Sequence, residues 1–362
     1  MEPLWWIPGW ARHGARVLLP KKAGDRLRDY VIEHYYAPGF VSRTGWLEYR
    51  WRRVLRRPPL VHRVVIHLTD HCNLNCKGCS HFSNLAAPAF ADPVRLDAEL
   101  ERLAALFEVT EVYLLGGEPL LHPELQTLLR SARRRLPRAK LILLTNGILL
   151  PKMGSGFWRT MGEERITLMY DDYPIRIPTG LVARRARENS VGVEVAEHHD
   201  EFFKLPIDPS GSQDAADSFS RCRTVANCPT LRDGQLYPCA YIAYIHLFIE
   251  RFGVEGLAPG PDDSISIFDT SDAYRIMDFL LSSVPWCAHC DFDSAGNYAW
   301  SRSACSIGEW TCGVVSETQP EQPESSYCGG STPVDALTMP ASFLRTSSGV
   351  GSLVPGCGRS AL

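Results

Sequence analysis

The 362-residue chain has no apolar run longer than about six residues, the longest being residues 240–245, whereas a bilayer-spanning helix needs about 20. A transmembrane segment is therefore not expected. Near the start, the apolar stretch 4–7 is bracketed by Pro3 and Pro8, too short for the ~7–15-residue core of a secretory signal, so the sequence reads as cytoplasmic. It also lacks an excess of one charge: 38 Lys and Arg against 41 Asp and Glu give a formal net charge of −3, which offers no general attraction for nucleic acid. No internal repeat is found, which excludes solenoids and propellers. With 45% hydrophobic and 22% charged residues, the composition is that of a globular protein, and whole-chain disorder is excluded.

Charge is nevertheless uneven. Residues 1–63 hold thirteen Lys and Arg against five acids, together with five of the nine Trp. Residues 1–61 thus form a basic, Trp-rich extension, expected to pack on its own domain with its basic groups solvated; an acidic partner or a membrane surface is the alternative reading. At the other end, residues 313–362 are rich in Ser, Gly and Pro without helical or strand periodicity and read as a disordered tail.

From Val64 onward, strand, turn and amphipathic helix alternate, the signature of parallel βα units. Strands are expected at 64–69, 112–115, 140–144, 166–169 and 191–195. A helix over 97–107 carries Leu96, Leu100, Leu103 and Phe107 on one face; another carries Leu125, Leu128, Leu129, Ala132 and Leu136 and is stopped by Pro137. A third is expected at 181–188. After Glu197 the rhythm stops in a stretch with Pro206, Pro209 and Gly211 that reads as a linker. A smaller unit with one good helix, 271–281, follows.

Twelve cysteines are many for a chain in a reducing compartment, where clustered thiols point to metal or catalysis. Cys72, Cys76 and Cys79 sit in a loop directly after the first strand at the spacing CxxxCxxC. Three thiolates so close together can ligate three irons of an iron–sulfur cube and leave the fourth open. A structural zinc site with His71 or His81 as fourth ligand is the plainer alternative. At the end of the second strand stands Gly116-Gly117-Glu118-Pro119: the glycines allow close main-chain approach, and Glu118 is able to accept hydrogen bonds from an ammonium group. Thr145-Asn146-Gly147 closes the third strand on the same face, where a simple turn is the stronger reading.

The CxxxCxxC and GGE motifs, on these residues, resemble those of the radical S-adenosylmethionine (SAM) superfamily over about residues 62–200. The resemblance implies an α/β fold, a partial (β/α)6 TIM-like barrel, over 62–205. It also implies a 4Fe-4S cluster on Cys72, Cys76 and Cys79 whose open iron is chelated by SAM, with Gly116, Gly117, Glu118 and Asn146 on the cofactor and Glu118 holding its ammonium. The implied chemistry is reductive cleavage of SAM to a 5′-deoxyadenosyl radical that abstracts hydrogen from a substrate, with electrons from an external flavodoxin- or ferredoxin-like donor.

Further along, Cys222, Cys239, Cys287 and Cys290 supply four thiolates from two separated pieces, enough for a second iron–sulfur cluster or a closed zinc site; spacing alone does not separate these. The arrangement resembles the twitch form of the SPASM extension, a small C-terminal α+β unit, here 206–312, and that resemblance implies an auxiliary 4Fe-4S cluster. Cys228 has no ligand role in this reading: it is an alternative to Cys222, a buried inert thiol, or a hydrogen donor to a substrate radical, with Cys305 and Cys312 competing for that role. Cys328 and Cys357 carry no assignment. Trp300-Ser301-Arg302-Ser303 and Glu309-Trp310 are placed to close over the cavity, with plain packing the default reading; Asp171, Asp172, His198, His199, Asp200 and Glu201 concentrate near strand ends, as suits a substrate bearing amines or hydroxyls or, equally, a solvated acidic loop. The expected function is a radical SAM enzyme acting on a small polar molecule, an amino sugar or related carbohydrate, by epimerisation or oxidation. A peptide-modifying radical SAM maturase and a non-enzymatic iron–sulfur or zinc protein are the alternatives.

Overall fold

The computed structural model describes residues 43–175, 177–198, 201–222 and 228–311. In chain order the elements are α1 (Arg43–Val54), β1 (Leu60–Thr69), α2 (Pro93–Leu106), β2 (Glu108–Gly116), α3 (Leu125–Arg135), β3 (Lys140–Thr145), α4 (Ser155–Glu163), β4 (Thr167–Asp172), α5 (Thr179–Glu188), β5 (Val193–His198), β6 (Glu201–Lys204), α6 (Ala215–Arg221), β7 (Thr230–Arg232), β8 (Gln235–Tyr237), α7 (Ala240–Phe252), β9 (Ile265–Ser266), α8 (Ala273–Leu280) and β10 (Gly296–Ala299).

The five expected strands and the helices between them all form. Strands β1 to β5 pair in sequence order and parallel, and alternation along them separates two faces. Val64, Ile66 and Leu68 point to the helices, where they meet Leu96, Leu100 and Leu103 of α2. Val65, Tyr113, Leu115, Ile142, Leu144 and Met169 form a separate cluster on the inner face. Strands covered on both sides are the mark of a parallel α/β sheet. Helix α2 starts where the sequence dictates: Asp92 caps it by accepting from Arg95 N at 2.7 Å, with Pro93 in the first turn. Its Leu100 and Leu103 are 0% exposed, so truncating either to Ala should cost about 2–5 kcal/mol.

The α/β, TIM-like character holds, but the sixth parallel strand is not where a simple (β/α)6 count puts it. β7 pairs with β1 rather than β5, giving the order β5-β4-β3-β2-β1-β7-β8-β9. The next strand, β6, begins at Glu201, just after β5 ends at His198, too soon for a parallel crossover of a dozen or more residues. β6 instead pairs antiparallel with β10.

The stretch after Glu197 is no loose linker. It contains β6 and α6, and its Ser-rich part is ordered by the buried Asp208, whose carboxylate accepts from the main-chain N of Ser210 (2.9 Å) and Ser212 (3.1 Å). Residues 240–245 become the first half of α7, which ends at Gly253 in the left-handed conformation (φ 65). With Phe82, Trp286 and Trp310, this helix makes a second core. The expected helix 271–281 is α8. Among the described residues no helix is long and apolar enough to cross a membrane. Most of the basic extension, the expected tail, Cys312, Cys328, Cys357, His199 and Asp200 lie outside the described residues, as do the side chains of Asp172 and His198.

Candidate functional site

The cysteine loop leaves β1 at its carboxyl end and doubles back over the sheet. Cys72, Cys76 and Cys79 all line one cleft, together with Gly116, Gly117, Asn146 and Asp171. Burial pushes all three thiols up, Cys76 to about 12, with Glu118 and neighbouring sulfurs adding to the effect at Cys72, and Cys79 adding to it at Cys76. Yet each sulfur has N–H groups aimed at it: Leu74 N (3.3 Å) and Asn146 Nδ2 (3.6 Å) on Cys72, Trp300 Nε1 (3.3 Å) on Cys76, and the main-chain N–H groups of residues 81–84 on Cys79. Buried thiolates are unstable alone but stable on a metal, and N–H donors to sulfur are what iron–sulfur ligands carry. The donor set fits a cluster held by these three residues.

The paired glycines turn out to serve the protein's own main chain. A Cβ on Gly116 would lie 2.3 Å from Thr69 O, and one on Gly117 would lie 2.1 Å from His71 O. Their absence lets β2 seat against the cysteine loop through Gly117 N to Thr69 O (3.0 Å) and Glu118 N to His71 O (3.1 Å). Both glycines line the cleft.

Glu118 is fully buried. Its Oε1 accepts from Leu120 N (3.0 Å) and Thr145 Oγ1 (2.6 Å), and its Oε2 from Asn146 N (2.9 Å). A carboxylate has about four acceptor positions, so one remains on Oε2. Burial pushes Glu118 up to about 7 against the pull of these three donors. The Thr145-Asn146 turn is thus more than a strand ending: Thr145 fixes Glu118, and Asn146 joins Glu118 to Cys72 and, by a 2.7 Å bond, to Asn73 Oδ1.

The segment flagged by its tryptophans returns from β10 and straps the cysteine loop. Lys77 N donates to Ser301 O and Ser303 N to Asn75 O, both at 3.0 Å; Trp310 Nε1 donates to Cys79 O at 2.9 Å. Glu309 takes Gly78 N (3.2 Å) and Ser303 Oγ (2.6 Å). Gly78 adopts φ 60, and a Cβ there would meet Glu309 O and the Tyr298 hydroxyl at 3.0 Å each, so glycine is required beneath the strap.

Asp171 lines the cleft and is buried, with the Tyr173 hydroxyl donating to it at 3.3 Å, whereas Glu201 is exposed. Of the histidines, His71 Nδ1 accepts from Ala89 N at 3.3 Å, while His81 lines the cleft and engages the main chain of Gly116. Tyr173, Phe202 and Tyr298, which the sequence did not single out, form an aromatic wall of the cleft. No local pattern could have found them, because Phe202 and Tyr298 meet only through the β6–β10 pairing.

The second cysteine group also converges. Cys239 caps α7, Cys222 ends α6, and Cys287 and Cys290 flank a short 3-10 turn. Burial comes first in pushing up Cys239, Cys287 (to about 11) and Cys290, and each also feels the charge of Cys222. Main-chain N–H groups of Tyr241 and Ile242 point at the Cys239 sulfur. Cys228 lies apart, 2% exposed within the inner-face cluster, where Leu115 and Leu144 also form part of the cleft lining. Its sulfur and that of Cys305 are in disulfide form. Among the described residues no three His, Cys, Asp or Glu side chains close around a single ion; ligands of a cube stand further apart, each on its own iron.

Residues 66–167 match the radical SAM superfamily. These residues make up a radical SAM domain. Among its relatives, a GTP 3′,8-cyclase of Moorella thermoacetica is 32% identical over 113 residues, 31% of this chain and 35% of that protein. One from Mycolicibacterium smegmatis is 32% identical over 109 residues, 29% and 30% of the two chains. The chain therefore matches about a third of the length of these curated relatives. Among solved structures, BtrN in complex with AdoMet and 2-DOIA aligns at 17% identity and TM-score 0.42, over 65% of this chain and 94% of that one. The anSMEcpe enzyme with bound AdoMet and Cp18Cys peptide aligns at 18% and TM-score 0.30, over 38% and 42%.

Proposed function

We propose that this radical SAM protein is an enzyme that binds a 4Fe-4S cluster through Cys72, Cys76 and Cys79 and takes a hydrogen atom from a small polar substrate, an amino sugar or related carbohydrate. The observation that carries the reading is the set of three buried sulfurs, each met by N–H donors, in one cleft with the Gly116-Gly117 main chain and Asn146. When bound, the cluster and SAM supply the electron transfer and radical generation. The chain's own residues do the rest. Asn146 and Trp300 hold sulfurs in place; Glu118, fully buried behind the cleft's lining residues, keeps one acceptor on Oε2 that suits the SAM ammonium; the strap from 300–310 keeps water from the loop.

Buried Asp171 supports a substrate carrying hydroxyl or amino groups, and the wall of Tyr173, Phe202 and Tyr298 suits the face of a ring. A nucleoside triphosphate, as the relatives' names suggest, is less well served. Lys77 is the single Lys or Arg among the described lining residues, whereas three phosphates call for several such donors. Cys222, Cys239, Cys287 and Cys290 are the proposed ligands of an auxiliary 4Fe-4S cluster, in a C-terminal unit over about 206–312, able to accept an electron if the substrate is oxidised. Epimerisation instead needs a hydrogen donor, for which Cys228 under the cleft floor is the candidate once its disulfide is reduced. An external reductant is required in either case. Anaerobic incubation with SAM and dithionite should release 5′-deoxyadenosine; none released from protein carrying its full iron would refute the enzyme reading.

A further inference from the structure

We infer that Trp300, 224 residues beyond Cys76, sets the reduction potential of the catalytic cluster through its indole N–H. The inference rests on the reading that Cys72, Cys76 and Cys79 hold that cluster. The indole Nε1 lies 3.3 Å from Cys76 Sγ, and the indole is held there by both neighbours in space and in chain. Next to it, Ser301 O accepts from Lys77 N and Arg302 bridges Cys76. Its ring packs 6.3 Å from Tyr173, centroid to centroid. The donors on Cys72 and Cys79 come from the loop's own main chain and from the β3 turn. Cys76 receives its donor from the C-terminal segment instead, on the far side of the second cysteine group in the chain.

Reduction adds one negative charge, which the sulfurs share. An N–H dipole aimed at a ligand sulfur stabilises the reduced form more than the oxidised one, and so raises the potential. Removing it makes the cluster harder to reduce. The C-terminal segment therefore completes the electronic environment of a cluster whose ligands all lie in the barrel, and Trp300 is a positioning and tuning residue rather than a catalytic one.

The test is an anaerobic redox titration of the reconstituted full-length protein, following the EPR signal whose shape changes when SAM is added, since SAM perturbs only a cluster with an open iron. Trp300→Phe should lower the ratio of reduced to oxidised cluster at fixed potential by about tenfold, ~59 mV for one electron. Replacing Trp300 by benzothienylalanine, the same shape with sulfur in place of N–H, should give the same shift with packing retained. Ser303→Ala, which removes the strap's hydroxyl donor to Glu309 and bonds none of Cys72, Cys76 or Cys79, should leave the potential unchanged. An unshifted potential in the benzothienylalanine protein overturns the inference, as does an equal shift in Ser303→Ala, which would assign the effect to loosening of the strap. Absence of any SAM-sensitive signal from iron-loaded wild type overturns the cluster reading itself, a result distinct from the other two.

Discussion

Glu118→Gln tests the site most directly, because the structure specifies what one nitrogen for one oxygen would do. Glu118 Oε1 takes two donors, Leu120 N and Thr145 Oγ1, and Oε2 takes one, Asn146 N. Glutamine will keep its carbonyl on the side with two donors and turn its NH₂ toward Asn146 N, leaving donors face to face in a dry site. That costs about 1–3 kcal/mol of stability. The same NH₂ occupies the position whose free acceptor is assigned to the SAM ammonium, so a charge-assisted bond worth about 1.5–3 kcal/mol is lost and SAM should bind about ten- to a hundredfold more weakly. The pH dependence gives a second signature. Burial raises the native value of Glu118 from its ordinary 4.5 to about 7, so the folded state holds the proton more tightly than the unfolded one. This group's contribution to stability is full below the unfolded value, falls as pH rises through the folded one, and amounts to about 3 kcal/mol. Glutamine abolishes that decline. SAM affinity, which needs the ionised carboxylate, should strengthen through pH 7 in wild type and stay flat in the variant. Urea unfolding and SAM titration calorimetry across pH 5–8 measure both. A SAM dissociation constant unchanged by the substitution at pH 8 would refute the ammonium assignment.

Three further outcomes are expected. Anaerobically reconstituted protein should hold about eight irons, the sum of two cubes, and Cys72, Cys76 and Cys79 replaced together by Ala should leave about four irons with no SAM cleavage; one zinc and four irons in native protein would instead make the second cysteine group a zinc site. Gly117→Ala places a Cβ 2.1 Å from His71 O, a main-chain clash that no side-chain motion relieves, so the variant should load little iron at the catalytic site while the auxiliary group fills; normal loading of both contradicts the packing argument. Cys228→Ala should cleave SAM as wild type does but form no epimer, and wild-type product made in deuterated water should gain one deuterium. Absence of solvent deuterium in an active enzyme removes Cys228 as donor and favours oxidation.

Much of the barrel was legible because its signals are local. Apolar stretches such as 112–115 alternate with helices whose leucines recur at one-face spacing, and that periodicity survives in isolation from the rest of the chain. The cluster of Cys72, Cys76 and Cys79 was legible for the same reason: eight consecutive residues hold all three, so any compact loop brings them together. The α/β class, the parallel strands and the gathering of Cys72, Gly116, Gly117 and Asn146 at the strands' carboxyl ends follow from sequence order alone.

What the sequence by itself could not determine depends on where distant pieces meet. Spacing from Cys239 did not by itself choose between Cys222 and Cys228, yet α6 delivers Cys222 to the second cysteine group while Cys228 lies in the inner-face cluster. The glycine pair suggested room for a ligand, and only the register of β1 against β2 shows that it makes room for Thr69 and His71. The sequence set Trp300 over the cavity without a partner, and only the β6–β10 pairing brings its indole onto Cys76. Periodicity is a property of neighbours in sequence, whereas a hydrogen bond across 224 residues exists only after two cores have packed and fixed the path of the strap between them.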